Sequence, residues 1–412
     1  MSRETCLHLN DKDRAFLDGH FGPAEKLAME VVVDVGRAFE AERLIPITSA
    51  HILGHYGSLH DAGIELLERL AADGGACRVP TTVDPSSVDF ARANAFRVSS
   101  DYVSRQDRLR RAVERLGVTP SWSCIPYHSM NVPRFGQNIA WAESSAVVYA
   151  NSVIGARTNR TPFGLDICAA ITGRIPYSGL YRKKNRVATI LFDVQVQQLS
   201  DLDYHTLGAI VGSRSGSAVP AIRGIPTSVT NDQLKTFGAA AASSGSVALF
   251  HIMGVTPEAR LQGRFSGCES MQRMVVTRDD LQEMERRIST ADPAAPVDMV
   301  TLGCPLLSVE ELKQVFARMG GRQVRKDIHF WIYLSQETYD LAVPMGLIGA
   351  LEAAGIWFST GTCATISPVK VWGFSHVMTN SAKCALVVPS EHNVRISYRD
   401  IDTCILTATE AI

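Results

Sequence analysis

Three cysteines sit in similar local settings, and thiols are the first candidates for chemistry. They are Cys124 in SCIPY, Cys304 in LGCPL and Cys363 in GTCAT. Cys304 follows a strand candidate ending at Leu302, and Cys363 follows the apolar run from Gly355 to Phe358. Ligands of open α/β sheets gather at the carboxyl ends of strands, so the three thiols could converge on one point. Taken singly, each is as well explained as a small apolar filler, and the other cysteines (Cys6, Cys77, Cys168, Cys268, Cys384 and Cys404) are assigned to that class. No CxxC pair occurs, so spacing alone does not establish a metal site.

Polar groups suited to a small anionic substrate cluster in three stretches. The densest runs from Ser123 to Arg160 and carries Glu143, Ser144, Asn151, Arg157, Thr158, Asn159 and Arg160. Arg157 and Arg160 are three apart, a spacing that lets two guanidinium groups face one carboxylate or phosphate; the alternative is a capped helix with surface charges. Thr379, Asn380, Ser381 and Lys383 offer hydroxyl, amide and ammonium donors within five residues, either a carboxylate site or a polar turn. Ser49, His51 and His55 lie in TSAHILGH, read as a loop that follows a strand over 44–47. GxGxxG, GxxxxGK[ST] and HExxH are all absent, which leaves dinucleotide, P-loop and zinc-protease sites without motif support.

The elements that must position these groups read as α/β. Asn10 with Asp13 marks a capped helical turn, and Pro23 opens a helix running to about Arg43, with Leu27, Val31, Val35 and Phe39 on one face. A strand over 44–47 and helices over 59–72 and 101–116 follow. From Arg186 onward, strand candidates (187–194, 218–222, 247–252, 297–302, 328–333) alternate with helices (203–211, 231–242, 278–288, 309–319). That alternation predicts parallel sheets covered by helices, in more than one unit. Sub-boundaries are expected near residues 185 and 294.

Composition narrows the function classes. The 412 residues are 46% hydrophobic and 20% charged, with a formal net charge of −1. Such a chain buries a large core and presents no uniform field for nucleic acid or an anionic membrane. No signal peptide or membrane-length apolar run is visible, and nine cysteines make an odd, scattered set. Both features predict a cytoplasmic protein with free thiols. Only nine of the 41 basic residues are lysine, a weak indication of a mesophilic source.

Several long motifs in order resemble the aconitase X family: AHILGH, SCIPYH, AWAESSAVVYANSVIGARTNR, ITGRIP, FHIMGVTPEA, LGCP and TNSAK, with GHFGPAEKLAME near the start. The resemblance covers essentially the whole chain. It implies several aconitase-like α/β/α three-layer units enclosing an iron–sulfur cluster, either 2Fe–2S or 4Fe–4S, held by Cys124, Cys304 and Cys363. It also implies dehydration of a small hydroxy acid, either cis-3-hydroxy-L-proline, the first expectation, or mevalonate 5-phosphate. A small swivelling domain completes such enzymes and is likened to the source of the general base. The chain opens directly on the large-unit motif, so that domain is expected on a separate small subunit. Two further readings stand beside this one: a catalytically silent scaffold or regulatory subunit, and a mononuclear zinc or iron site in the same thiol pocket.

Overall fold

Local signals set where the first helices begin. In the computed structural model, which describes residues 7–92, 97–260, 271–367 and 369–409, Asn10 and Asp13 form a reciprocal capping box at the start of α1 (Asp11–Leu17). Pro23 opens α2 (Pro23–Ala38), where its missing N–H is not needed. This helix stops short of the expected Arg43, because the chain turns through Glu40 at φ 49° toward β1 (Leu44–Pro46). Its buried face is Ala24, Ala28, Met29, Val32 and Val33. The expected stripe of Leu27, Val31, Val35 and Phe39 is only half-buried or exposed; the buried face is rotated round the helix from it.

The first unit continues through β2 (Ala50–Ile52), α3 (Tyr56–Ala72), β3 (Thr81–Val83), α4 (Ser100–Arg115), β4 (Ala140–Trp141), α5 (Ser144–Tyr149), α6 (Leu165–Thr172) and β5 (Arg174–Pro176). β1 and β5 form an antiparallel ribbon, and β3-β2-β4 form a parallel sheet. His51, read above as following a strand, lies within β2.

A second parallel sheet, ordered β8-β7-β6-β9, is built from β6 (Ile190–Val194), α7 (Asp201–Ser215), β7 (Pro220–Arg223), α8 (Asn231–Ser244), β8 (His251–Ile252), β9 (Gln272–Val276) and α9 (Arg278–Ile288). Here α7 and α8 pack backbone to backbone: a Cβ on Gly208 would collide with the Phe237 carbonyl oxygen.

The third unit comprises β10 (Met299–Leu307), α10 (Val309–Met319), β11 (His329–Leu334), α11 (Gln336–Ala342), α12 (Leu347–Ala353), β12 (Ile356–Thr360), β13 (His376–Thr379), α13 (Ala382–His392), β14 (Arg395–Tyr398) and α14 (Ile401–Thr409). Its five strands are parallel in the order β12-β11-β10-β13-β14. Every residue of β6 and β10 is buried, the mark of sheets covered on both faces. The fold is therefore α/β, with sheets layered between helices. Among the described residues no helix is long and apolar enough to cross a membrane.

Candidate active site

Two parallel sheets point their carboxyl edges at one cavity of about 200 Å³. From the first sheet, the chain after β2 delivers Leu53 and His55, that after β3 delivers Asp84 and Pro85, and that after β4 delivers Ala142, Glu143 and Ser144. From the third sheet come Cys304 and Pro305 of β10, Cys363, Thr365 and Ile366 beyond β12, and Lys383 in the first turn of α13 after β13. Cys124 arrives on the loop whose Ser123 N–H donates to the Val83 carbonyl at 3.1 Å. No residue of the second unit lines this cavity among the described residues.

The three thiols thus share one wall, and all are buried (4–7% exposed) and free. Burial pushes each thiol pKa up, and the Glu143 carboxylate adds to this at Cys124. Cys363 Sγ also lies 3.1 Å from Thr365 Oγ1. In so dry a place the thiols stay protonated unless a metal takes the proton's place, and metal coordination deprotonates a thiol outright. The donor set therefore fits an iron–sulfur cluster bound by three cysteines, with one iron left open. Among the described residues no three His, Cys, Asp or Glu side chains close around a single ion. A cluster does not require that arrangement, because its thiolates bind different irons.

Charge in the cavity is mixed. Lys383 Nζ donates to Glu143 Oε1 at 2.7 Å and to Ser145 Oγ at 2.6 Å. Glu143 also caps α5, accepting from the Ala146 N–H at 2.6 Å. Burial would raise the Glu143 carboxyl, but the Lys383 ammonium and the backbone donors outweigh it and hold it below the ordinary carboxylate range. Asp84 has a raised pKa: burial dominates, opposed by His51 at 3.8 Å. Burial also lowers His55 to about 4, so its imidazole is neutral at physiological pH.

The sequence-derived residues divide between wall and framework. Cys124, Cys304, Cys363, Glu143, Ser144 and Lys383 meet at the cavity. Ser49 and His51 are buried and do not line it; His51 Nδ1 pairs with Thr82 Oγ1 at 2.9 Å, while among the described residues His51 Nε2, Ser49 Oγ and Asp84 Oδ1 have no hydrogen-bond partner. Asn151, Thr158, Asn159 and Arg160 lie away from the cavity wall and bond to the framework. Asn151 Nδ2 donates to the Thr158 and Ala248 carbonyls, and Thr158 Oγ1 accepts from the Trp141 N–H. Asn159 Oδ1 accepts from the Leu180 N–H, and Arg160 donates to the Ala242 and Val247 carbonyls. Arg157 is joined through its backbone N–H to the Gln137 carbonyl and has a buried Nε without a partner among the described residues. Arg157 and Arg160 do not converge on the cavity. Thr379 and Ser381 are buried at the start of α13, where Ser381 caps the helix, and Asn380 faces a different cleft. Among the six cysteines assigned as fillers, Cys77, Cys168, Cys384 and Cys404 are free and lie outside the cavity wall; Cys6 and Cys268 fall outside the described residues.

Sequence reasoning missed Asp84, Pro85, Thr365 and Ile366. The first two follow Thr81–Val83, a three-residue strand too short to register as a pattern, although an Asp-Pro step just after β-branched residues was the available signal.

Comparison with known proteins places this geometry. Family models described as the aconitase X first, second and third domains match residues 6–184, 188–286 and 297–410. The chain is 37% identical to the cis-3-hydroxy-L-proline dehydratase of Hypocrea jecorina, over 98% of its own length and 69% of that protein. It is 36% identical to the phosphomevalonate dehydratase large subunit of Methanothermobacter thermautotrophicus, over 96% of its length and 97% of that protein. A crystal structure of Thermococcus kodakaraensis aconitase X in its holo-form superposes with a TM-score of 0.89 at 32% identity, covering 97% of this chain and all of the other.

Proposed function

This chain belongs to the aconitase X family, and from that premise we propose that it dehydrates cis-3-hydroxy-L-proline to 1-pyrroline-2-carboxylate in company with a separate small swivelling subunit. The observation that carries the reading is the charge inventory of the thiol cavity. Its cation, Lys383, is already paired with Glu143, and Asp84 adds a second carboxyl group. A zwitterionic amino acid matches such a mixed set; a phosphate dianion calls for cations in excess. Relatives with the hydroxyproline name support the choice at 35–37% identity.

Cys124, Cys304 and Cys363 would hold the iron–sulfur cluster, which when bound supplies a Lewis-acidic iron for the departing hydroxyl. Lys383 spends two of its three N–H donors on Glu143 and Ser145, leaving one for the substrate carboxylate. A donor there stabilises the negative charge that develops beside the carboxylate as the proton leaves carbon 2. Glu143 and Asp84 face the secondary ammonium, and neutral His55 offers a hydrogen bond without adding charge. The buried walls keep bulk water from the reacting carbons. The proton acceptor is assigned to the small subunit, in keeping with relatives named as large subunits.

Dehydration of mevalonate 5-phosphate is the second reading, favoured by the end-to-end match to the archaeal large subunits. Anaerobic co-purification with the small subunit, followed by incubation with each substrate, separates the two. We expect 1-pyrroline-2-carboxylate from hydroxyproline; turnover of mevalonate 5-phosphate alone overturns the proposal.

A further inference from the structure

The second unit contributes no side chain to the cavity wall among the described residues, yet it reaches the backbone beside one of the thiols. β10 leaves its ladder with β11 between Leu302 and Leu307, where the register shifts. Gly303 turns at φ 100°, and a Cβ there would collide with the Tyr333 carbonyl oxygen. Side chains from elsewhere take two carbonyls of this displaced segment. Ser381 Oγ donates to the Cys304 carbonyl, and Lys235 Nζ, from α8, donates to the Leu306 carbonyl at 3.1 Å.

Lys235 is 1% exposed. Its ammonium also meets Asp232 at 3.1 Å and pairs with Glu311. All three N–H donors are thus satisfied. The same two carboxylates grip the start of α10: Glu311 accepts from the Ser308 N–H at 2.8 Å, and Asp232 accepts from Ser308 Oγ at 2.7 Å. The ammonium therefore ties α8 to the end of β10 and the start of α10. The ammonium is buried and its two carboxylates are half-buried, and such a desolvated ionic triad is often no more stabilising than apolar residues of the same size, so stability alone does not account for it. Fixing one carbonyl at one place does.

We propose that Lys235 is a positioning residue for Cys304, so that the second unit sets where this thiol stands in the cavity. The inference rests on the reading above in taking Cys304 as a cluster ligand. Its test does not depend on turnover.

The variant is Lys235→Met with Asp232→Asn and Glu311→Gln, which leaves no uncompensated charge. Prepared with the small subunit, it is compared with wild type for its electron paramagnetic resonance spectrum and its rate of iron loss in air. In the metal-free form, iodoacetamide labelling of Cys304, Cys124 and Cys363 is followed by peptide mass. We expect an altered spectrum, iron loss at least about tenfold faster, and a Cys304 labelling rate changed at least about tenfold while the other two cysteines label as before; tenfold corresponds to about 1.4 kcal/mol. If the triple variant does not fold, Lys235→Arg keeps the charge and is expected to restore folding without restoring the Cys304 labelling rate. Wild-type spectrum, iron retention and labelling in a folded variant overturn the proposal. If wild type itself binds no iron, the cluster reading fails, and the labelling ratio still decides whether Lys235 positions Cys304.

Discussion

Replacing Lys383 with methionine isolates the energetics of the candidate site. The substitution leaves the Glu143 carboxylate 8% exposed, with the Ala146 N–H at 2.6 Å and the Ser144 hydroxyl at 3.3 Å but no cation. Breaking a buried pair from one side typically costs about 3–5 kcal/mol, because the remaining charge stays desolvated. Neither partner is exposed enough for solvent to screen this. The loss should depend on pH with a definite sign. In wild type the Glu143 pKa lies below its unfolded value, so its contribution is present above about pH 4.5 and is lost as pH falls through the folded pKa. Without Lys383, burial raises that pKa, and the carboxyl becomes progressively more unfavourable as pH rises above its unfolded value. The gap between wild type and variant should therefore vanish only as pH falls through the folded Glu143 pKa of about 2, and should grow from pH 4 to pH 7, where it reaches about 3–5 kcal/mol. Urea unfolding of wild type, Lys383→Met, Glu143→Gln and the double variant at both pH values measures it. The double variant should recover at least about 2 kcal/mol relative to the sum of the singles. Additive losses, or a gap independent of pH, would mean that Lys383 does not hold the buried Glu143 charge.

Two further outcomes follow from the framework. Asp298 accepts from the Ser375 N–H (2.8 Å), the Ser375 hydroxyl (3.0 Å) and the His376 N–H (2.9 Å), and although burial opposes it, these donors hold its pKa below the ordinary value. Asp298→Ala should thus destabilise by about 1–3 kcal/mol at pH 7, with the difference shrinking below about pH 4, as read by denaturation at both pH values. Gly208→Val should cost about 1–3 kcal/mol by forcing α7 off the Phe237 carbonyl; an unchanged urea midpoint would contradict the close packing described.

Two helices whose caps are written in side chains match the sequence reading to the residue, while α7, with the same kind of cap at Ser200, extends beyond the expected 203–211 at both ends. Thr277 and Ser308 begin α9 and α10 where the sequence places them, each with an acidic residue three positions on closing the box. The long strands of the second and third sheets also stood out, since parallel strands buried on both faces read as apolar runs. What escaped was short or long-range. β3 and β4 have three and two residues, below any periodic signal. Asn151 and Arg160 are chemically indistinguishable from ligand-binding residues until the carbonyls they serve, up to 97 residues away, are known. Lys235 shows no local sign of burial, because its partners Leu306 and Glu311 lie on another unit. The convergence of Cys124, Cys304 and Cys363 was anticipated from strand ends, but the charges around them depend on the pairing of two sheets.

Whether these three cysteines hold an iron–sulfur cluster is read from the iron and acid-labile sulfide content of the protein. The chain, purified without oxygen, should be brown and carry iron and sulfide in equal proportion. Cys124→Ser, Cys304→Ser and Cys363→Ser should each lose most of both, while Cys77→Ser, away from the cavity, should keep them. Metal without sulfide in the wild-type protein, or full retention of iron and sulfide in all three variants, would contradict the account.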